Sequence, residues 1–331
     1  MGNSASGFAS APLLGLLVNS SSRRSSKQLA SIIQIAKACP RMHHSITESP
    51  DEVSGTLKEF ADKSVNVLAI CGGDGTVSRV LTHLLDEKPF EDWPLIAILP
   101  GGTANMTAGD VGFRGSVLKT LHRLSVWSEK KSDDGQIIQR PILRVQPGSG
   151  QSPSYGMFFG AGAIVQGIEY TNENIHSRGM KSELSLGLGL ARSMWGIARQ
   201  DPRFIQPTRI SIQIDDEDAA APRDTVLLVV SVLERLFLNM HPYWAKANGK
   251  PLHATVVHSP AKRLIRNLPA LLRGKVNRHL TLESGYLSYN LEKISLNFDG
   301  PYTLDGEIMQ ARAEAGPVEV SNGGELSFLR I

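Results

Sequence analysis

The feature that most constrains this chain is Cys71-Gly72-Gly73-Asp74-Gly75-Thr76, a glycine-rich turn set between an apolar run and an amphipathic one. Val65 to Ile70 reads as a short buried strand, while Val77, Val80, Leu81, Leu84 and Leu85 recur at the spacing of one helix face. A strand that turns through glycines into a helix offers free N–H groups at the helix start, and glycine lets backbone approach a bound group or take positive φ. Two readings follow: a phosphate-binding turn, or an ordinary tight turn. Asp74 separates them. A carboxylate inside a phosphate loop repels its ligand unless a cation lies between, so the turn points to metal–nucleotide chemistry.

The flanking sequence repeats the same unit. Leu13 to Val18 is a candidate strand, followed by the hydroxyl-rich, basic loop Asn19 to Ser26, which either contacts phosphates or is a solvated turn with Ser26 as helix cap. Leu29, Ile32, Ile33 and Ala36 mark the helix, which Pro40 ends, and Arg41 to Thr47 is a weaker strand. Pro50, Asp51 and Glu52 give the acidic opening of a helix carrying Val53, Leu57, Phe60 and Ala61. Pro94 to Leu99 is a further apolar strand, then come Pro100-Gly101-Gly102-Thr103-Ala104-Asn105 and a helix around Val117 to Trp127. Such alternation implies a parallel sheet covered by helices on both faces, a three-layer α/β domain with ligands beyond the carboxyl ends of the strands. After the polar stretch Lys130 to Gln136 the pattern changes to strands at Ile137–Val145, Ser154–Phe159, Arg209–Ile214 and Thr225–Leu233, with helical pieces at Ser182–Ala198 and Ala261–Arg273. An antiparallel sandwich is expected there. The organisation read from this is a flexible tail at 1–11, a nucleotide-binding domain at 12–135 and a β-rich domain at 136–331.

Composition excludes several classes. With 35 Lys plus Arg against 32 Asp plus Glu, the net charge is only +3, which argues against a nucleic-acid binder. Cys39 and Cys71 are too few for a disulfide framework and fit a reducing, cytoplasmic setting. The longest apolar runs fall well short of the roughly 20 residues of a membrane helix. Met1 to Pro12 lacks the pattern of a secretory signal, although Met1-Gly2-Asn3-Ser4-Ala5-Ser6 matches that of N-myristoylation. The histidines show no metal-ligand spacing. Lys262, Arg263, Arg266, Arg273, Lys275 and Arg278 surround Leu264, Ile265, Leu268, Leu271 and Leu272, giving a basic amphipathic helix that either packs on its own domain or lies on an anionic membrane.

Gly-Gly-Asp-Gly-Thr at 72–76, followed about 25 residues on by Leu99-Pro100-Gly101-Gly102-Thr103-Ala104-Asn105, resembles the diacylglycerol kinase catalytic family, which includes sphingosine and ceramide kinases. Leu304-Asp305-Gly306-Glu307 is similar to that family's late Asp-Gly-Glu, and Arg235-Leu236-Phe237-Leu238 with Pro242-Tyr243-Trp244 extends the likeness. The resemblance implies an ATP-dependent kinase for a lipid hydroxyl, with the lipid held by the β-rich domain at 136–331, the end of the chain returning toward the cleft between the two domains where the active site lies, and peripheral contact with a membrane surface. It implies Glu307 as general base and Asp74 as a catalytic residue that holds magnesium. By similarity Asn19, Thr47, Gly72, Gly73, Asp74, Gly75, Thr76, Ser78, Gly102, Thr103 and Asn105 form the nucleotide site, with ATP and Mg2+ as cofactors.

Read without the family, Asp305-Gly306 is an ordinary hairpin turn. Three places depart from the family's pattern: the first loop has Ser20-Ser21-Ser22 where Pro and Gly are usual, Ser78-Arg79 replaces Asn-Glu, and Met106 replaces Asp. Two rival readings are a nicotinamide dinucleotide kinase, which shares Gly-Gly-Asp-Gly, and a catalytically silent nucleotide- or lipid-binding protein.

Overall fold

The computed structural model describes residues 3–4, 11–130, 135–169, 206–275 and 278–331. Apart from Asn3 and Ser4, the expected tail up to residue 10 and the whole Ser182–Ala198 helix lie outside the described residues. The chain divides into two compact units, one of Met1–Ile142 with Arg235–Phe237 and Gly324–Ile331, the other of Leu143–Glu234 with Leu238–Gly323.

In the first unit strands and helices alternate as the hydrophobic pattern requires. After Asn3–Ser4 (β1) come Leu14–Asn19 (β2), Arg23–Ala38 (α1), Met42–Thr47 (β3), Glu52–Asp62 (α2), Val67–Gly72 (β4), Asp74–Glu87 (α3), Leu95–Pro100 (β5), Met106–Val111 (α4) and Val117–Lys130 (α5). The strands pair in parallel in the order β3-β2-β4-β5. Side chains alternate across the sheet, so Leu14, Leu16, Val18, Val67, Ala69 and Cys71 meet α1 and α5 through Ile32, Ala36, Leu121 and Leu124. The intervening Leu17, Leu68 and Ile70 are also buried, on the face of α2 and α3. This is the three-layer arrangement that runs apolar on both faces demand.

The last strand, Val318–Arg330 (β16), completes this sheet: Phe328 pairs in parallel with Ile96 of β5. Phe328 and Leu329 are fully buried, and Leu329 and Ile331 pack in the core shared with α1 and α5. The sequence reading assigned these residues to the second domain.

The second unit is antiparallel. The strand Gln136–Pro147 (β6) begins in the first unit and ends in the second, and Ser154–Gly156 (β7), Phe158–Gly162 (β8), Thr208–Ile214 (β9), Arg223–Ser231 (β10) and Leu252–His258 (β11) then precede a helix at Leu264–Leu272 (α6). Tyr286–Leu291 (β12), Lys293–Asn297 (β13), Gly300–Leu304 (β14) and Glu307–Ala311 (β15) follow. Pairing runs without a break through β15-β14-β8-β10-β9-β13-β16. The expected sandwich is therefore joined at a corner: β9 pairs with β10 through Thr208 to Ile210 and with β13 through Ser211 to Ile214. The single strand expected at Ser154–Phe159 is interrupted at Met157, because the N–H groups of Met157 and Phe158 turn to the carboxylate of Asp305, at 2.9 Å each.

Candidate functional site

Strand register gathers the loops of interest at one edge of the parallel sheet. Asn19 is level with Thr47, Val18 with Cys71, and Gly72 with Pro100. The turns after β2, β3, β4 and β5 therefore leave side by side. Chain order reverses between β2 and β4, since β3 lies to one side of β2 and β4 to the other. At such a switch point the flanking helices diverge and leave a crevice for ligand.

Across that crevice the loops are tied by side chains. Asn19 Nδ2 donates to Thr76 Oγ1 at 2.8 Å, while Asn19 Oδ1 accepts from the N–H of Ser21 at 2.8 Å. Ser22 Oγ lies 3.4 Å from Thr76 Oγ1 and accepts from the N–H of Gly73 at 3.3 Å. Ser22, the last of the three serines in the first loop, thus holds the glycine turn. This also corrects the expected cap: α1 begins at Arg23 after Ser22, not after Ser26. The reason is the neighbouring loop, whose Gly101 carbonyl accepts from the N–H groups of Arg24 (2.9 Å) and Ser25 (3.3 Å) and so satisfies the first turn without a capping side chain.

Asp74 is the other tie. It opens α3, is only 8% exposed, and accepts from the N–H of Met106 at 3.1 Å and of Thr107 at 3.0 Å. Both amides belong to the first turn of α4, where a carboxylate suits the helix dipole. Burial pushes the Asp74 carboxyl up from its ordinary value, and the two amides pull against that shift. One job of Asp74 is therefore to clasp the turn after β4 to the turn after β5. Asn105 stabilises the latter from within, its Oδ1 accepting from the N–H of Gly102 at 2.8 Å and its Nδ2 donating to the Gly102 carbonyl at 3.0 Å. Asn105 itself has φ 50°, the left-handed region that asparagine tolerates.

The glycines are required by this contact between loops. A Cβ on Gly73 would lie 3.3 Å from Gly102 Cα, and one on Gly102 would collide with Gly73 Cα. A Cβ on Gly101 would collide with Ser25 Oγ and sit 2.8 Å from the backbone N of Gly72. Beneath them Ser25 Oγ lies 3.4 Å from both the carbonyl and the Sγ of Cys71, whose thiol burial pushes up to about 11. Cys71 is thus a neutral packing group.

The remaining expected residues are dispersed. Gly75, Thr76 and Thr103 are half-buried along the crevice. Thr47 is buried with its hydroxyl 3.5 Å from the Val18 carbonyl, and its own carbonyl accepts from the N–H of Ser20 at 3.0 Å. Ser78 is buried one turn into α3 and its carbonyl accepts from Thr82. Glu307, in the second unit, is exposed at the start of β15 and pairs with Leu304 across the turn. That turn has positive φ at Asp305 (49°) and Gly306 (93°), as a tight Asp-Gly hairpin demands. Asp305, 3% exposed, fixes it by accepting the amides of Met157 and Phe158 already described. Sequence reasoning missed Ser22, Ser25, Thr107 and Asp305; the hydroxyl run after Asn19 was the visible sign of the first two.

The residues fit a magnesium–nucleotide. The helix start at Gly73 has no side-chain cap, so first-turn amides are available for phosphate. A carboxylate offers about four lone-pair positions, so Asp74 keeps acceptor capacity beyond its two amides. Among the described residues no three His, Cys, Asp or Glu side chains gather as a metal cage. Magnesium is ordinarily held by one or two carboxylates together with phosphate oxygens, which this arrangement suits.

Comparison with known proteins agrees with the geometry. Residues 14–137 match the diacylglycerol kinase catalytic domain. The chain is 29% identical over 96 residues to a protein of Enterobacter sp. (strain 638) named "Probable lipid kinase YegS-like", a stretch covering 29% of this chain and 32% of that relative. The matched part therefore spans about a third of the relative's length. Among solved structures, a diacylglycerol kinase from Bacillus anthracis str. Sterne is 18% identical with a TM-score of 0.60 over 96% of each chain. A second structure from the same organism is 17% identical with a TM-score of 0.65, covering 96% of this chain and 97% of the other. These likenesses show the fold over nearly the whole length, and the domain match shows a similarity to the diacylglycerol kinase catalytic domain confined to residues 14–137.

Proposed function

We propose that this chain, as a diacylglycerol kinase-like protein, transfers the γ-phosphoryl group of Mg-ATP to the hydroxyl of a lipid such as a diacylglycerol, a sphingoid base or a ceramide. The observation that carries the reading is the pair of glycine turns, after β4 and β5, clasped through Asp74 beside the switch point of a parallel sheet. Bound Mg-ATP supplies the phosphoryl donor and neutralises its charge. Phosphoryl transfer otherwise asks for positioning and for electrostatic stabilisation, which are what this chain's residues offer.

The amides at the start of α3, with the hydroxyls of Thr76 and Thr103, bind the phosphates. Asn19 and Ser22 hold Thr76 in place. Asp74 fixes the two turns relative to each other and would hold the cation with its remaining acceptor capacity. Gly102 and Asn105 shape the facing wall. Glu307 takes the proton of the lipid hydroxyl as its oxygen forms the new bond to phosphorus; the bond between the γ-phosphorus and the bridging oxygen breaks, and ADP leaves. The proposal includes presentation of the lipid at a membrane surface.

The test is incubation with γ-labelled ATP, magnesium and a panel of diacylglycerol, sphingoid bases and ceramide, with identification of any labelled lipid. Label in one lipid class supports the reading and names the substrate. Nucleotide binding without labelled lipid supports a silent binding protein, and label in NAD when that is added supports a dinucleotide kinase.

A further inference from the structure

The basic amphipathic helix of the second unit departs from its expected apolar face. α6 packs through Leu271, with Leu264, Ala270 and Leu272 partly buried, against Val257, Ala261, Leu280 and Tyr286. Asn267 is buried as well, while Ile265 is 54% exposed. The outward surface of the helix therefore carries a large aliphatic side chain beside Arg266 and Pro269, both exposed. Exposed aliphatic groups also sit near both of its ends. Leu238, 69% exposed, precedes His241, whose N–H donates to the Leu272 carbonyl at 2.8 Å. Leu282, 59% exposed, precedes Ser284, whose carbonyl accepts from the N–H of Lys262 at 3.0 Å. Five large hydrophobic side chains are exposed among the described residues, and these are three of them.

Along α6 and its flanks the charge has one sign as far as Glu283, the exposed acid that follows Leu282. Lys262, Arg263, Arg266, Arg273, Lys275 and Arg278 are all exposed, and from Pro260 to Leu282 the sequence contains no Asp or Glu. The cations are close to one another: Arg263 Nη1 lies 3.5 Å and Arg278 Nε 3.3 Å from the same atom, Nε2 of His279. No carboxylate among the described residues pairs with any of the six.

We infer that this face of α6 docks on an anionic lipid bilayer. Cations alone would suit any acidic partner, but aliphatic side chains standing among them suit a surface with charged headgroups over hydrocarbon. Ile265, with Leu238 and Leu282 toward the two ends of the helix, enters the headgroup boundary, and the arginines and lysines meet lipid phosphates. Long basic side chains serve this role well because their stems lie along apolar surface while their heads reach charge. The inference does not depend on kinase activity and is read without it.

The experiment is co-sedimentation of the full chain with vesicles of phosphatidylcholine alone or phosphatidylcholine with phosphatidylglycerol. The chain is expected to sediment with the mixed vesicles only, and less so as salt is raised. Each basic residue at an anionic surface is worth about fivefold in binding, so Arg266→Ala with Arg273→Ala lowers it on the order of 20-fold. Arg266→Lys retains binding, and Ile265→Ser weakens it at every salt concentration. Thermal unfolding of the variants, all at exposed positions, is expected to match the parent, which separates lost docking from lost folding. No binding to the mixed vesicles, equal binding to both kinds, or an unchanged double variant overturns the inference.

Discussion

At the scale of single residues, Asp74 has a structural task that its place in the turn alone did not reveal. Its charge and its position among glycines are visible in the sequence, and they point to a cation. That it also accepts the amides of Met106 and Thr107 is not visible, because the partners are 32 and 33 residues away and contribute only backbone. Asp74→Ala leaves two donors without their acceptor, and an unsatisfied buried group costs about 1–3 kcal/mol. Asp74→Asn keeps an acceptor for one of them and is expected to lose less. The pH dependence has a definite sign. Burial raises the carboxyl pKa, so its favourable contribution to folding is complete below the ordinary value of about 3.9 and is lost as pH rises through the raised one. Thermal unfolding followed from pH 4 to 8 should therefore show a deficit for Asp74→Ala that is largest at the acid end. A deficit that grows toward pH 8 would contradict it.

At the scale of elements, the sequence was most informative where one element buries its own face. The strands β2, β4 and β5 and the helices α1 to α3 announce themselves by continuous or periodic apolar residues, because burial on both sheet faces leaves no alternative pattern. Junctions were less legible. The start of α1 moved from Ser26 to Ser22 because its capping acceptor is Gly101 of another loop. The glycine turns behave as a unit in the same way. Gly102→Ala places a methyl group against Gly73 Cα and is expected to cost about 1–3 kcal/mol as overpacking, with loss of Mg-ATP affinity. Gly109→Ala, in α4 with nothing within 4 Å of an added Cβ, is expected to be neutral or to stabilise by about 0.5–1 kcal/mol. Denaturant melts of the two variants, with nucleotide titration, check both. Equal effects would mean that the contact between Gly73 and Gly102 carries no weight.

At the scale of the whole molecule, a change of character is visible in the sequence, since periodic α/β units give way after Lys130 to a pattern dominated by strands. The closing strand was not. Phe328 and Leu329 read as one more strand of the second part, and nothing local says that β16 will run parallel to β5. Only long-range pairing decides that, and a single sequence does not display it. Phe328 is fully buried in the first unit, so Phe328→Ala is expected to cost about 3–5 kcal/mol and to lower the stability of that unit. Limited proteolysis that samples residues 14–130 would register the loss as faster cleavage. An unchanged cleavage rate would mean that β16 does not support that sheet.

The central claim is phosphoryl transfer to a lipid hydroxyl with Glu307 as proton acceptor, and it is most directly tested by comparing the parent chain with Glu307→Gln in the labelled-ATP assay. Removing a general base lowers turnover by roughly 10²–10⁴-fold. The account predicts labelled lipid from the parent, turnover reduced on that scale in Glu307→Gln, and an unchanged dissociation constant for Mg-ATP. Full activity in Glu307→Gln, or no labelled lipid from a parent chain that binds Mg-ATP, would contradict it.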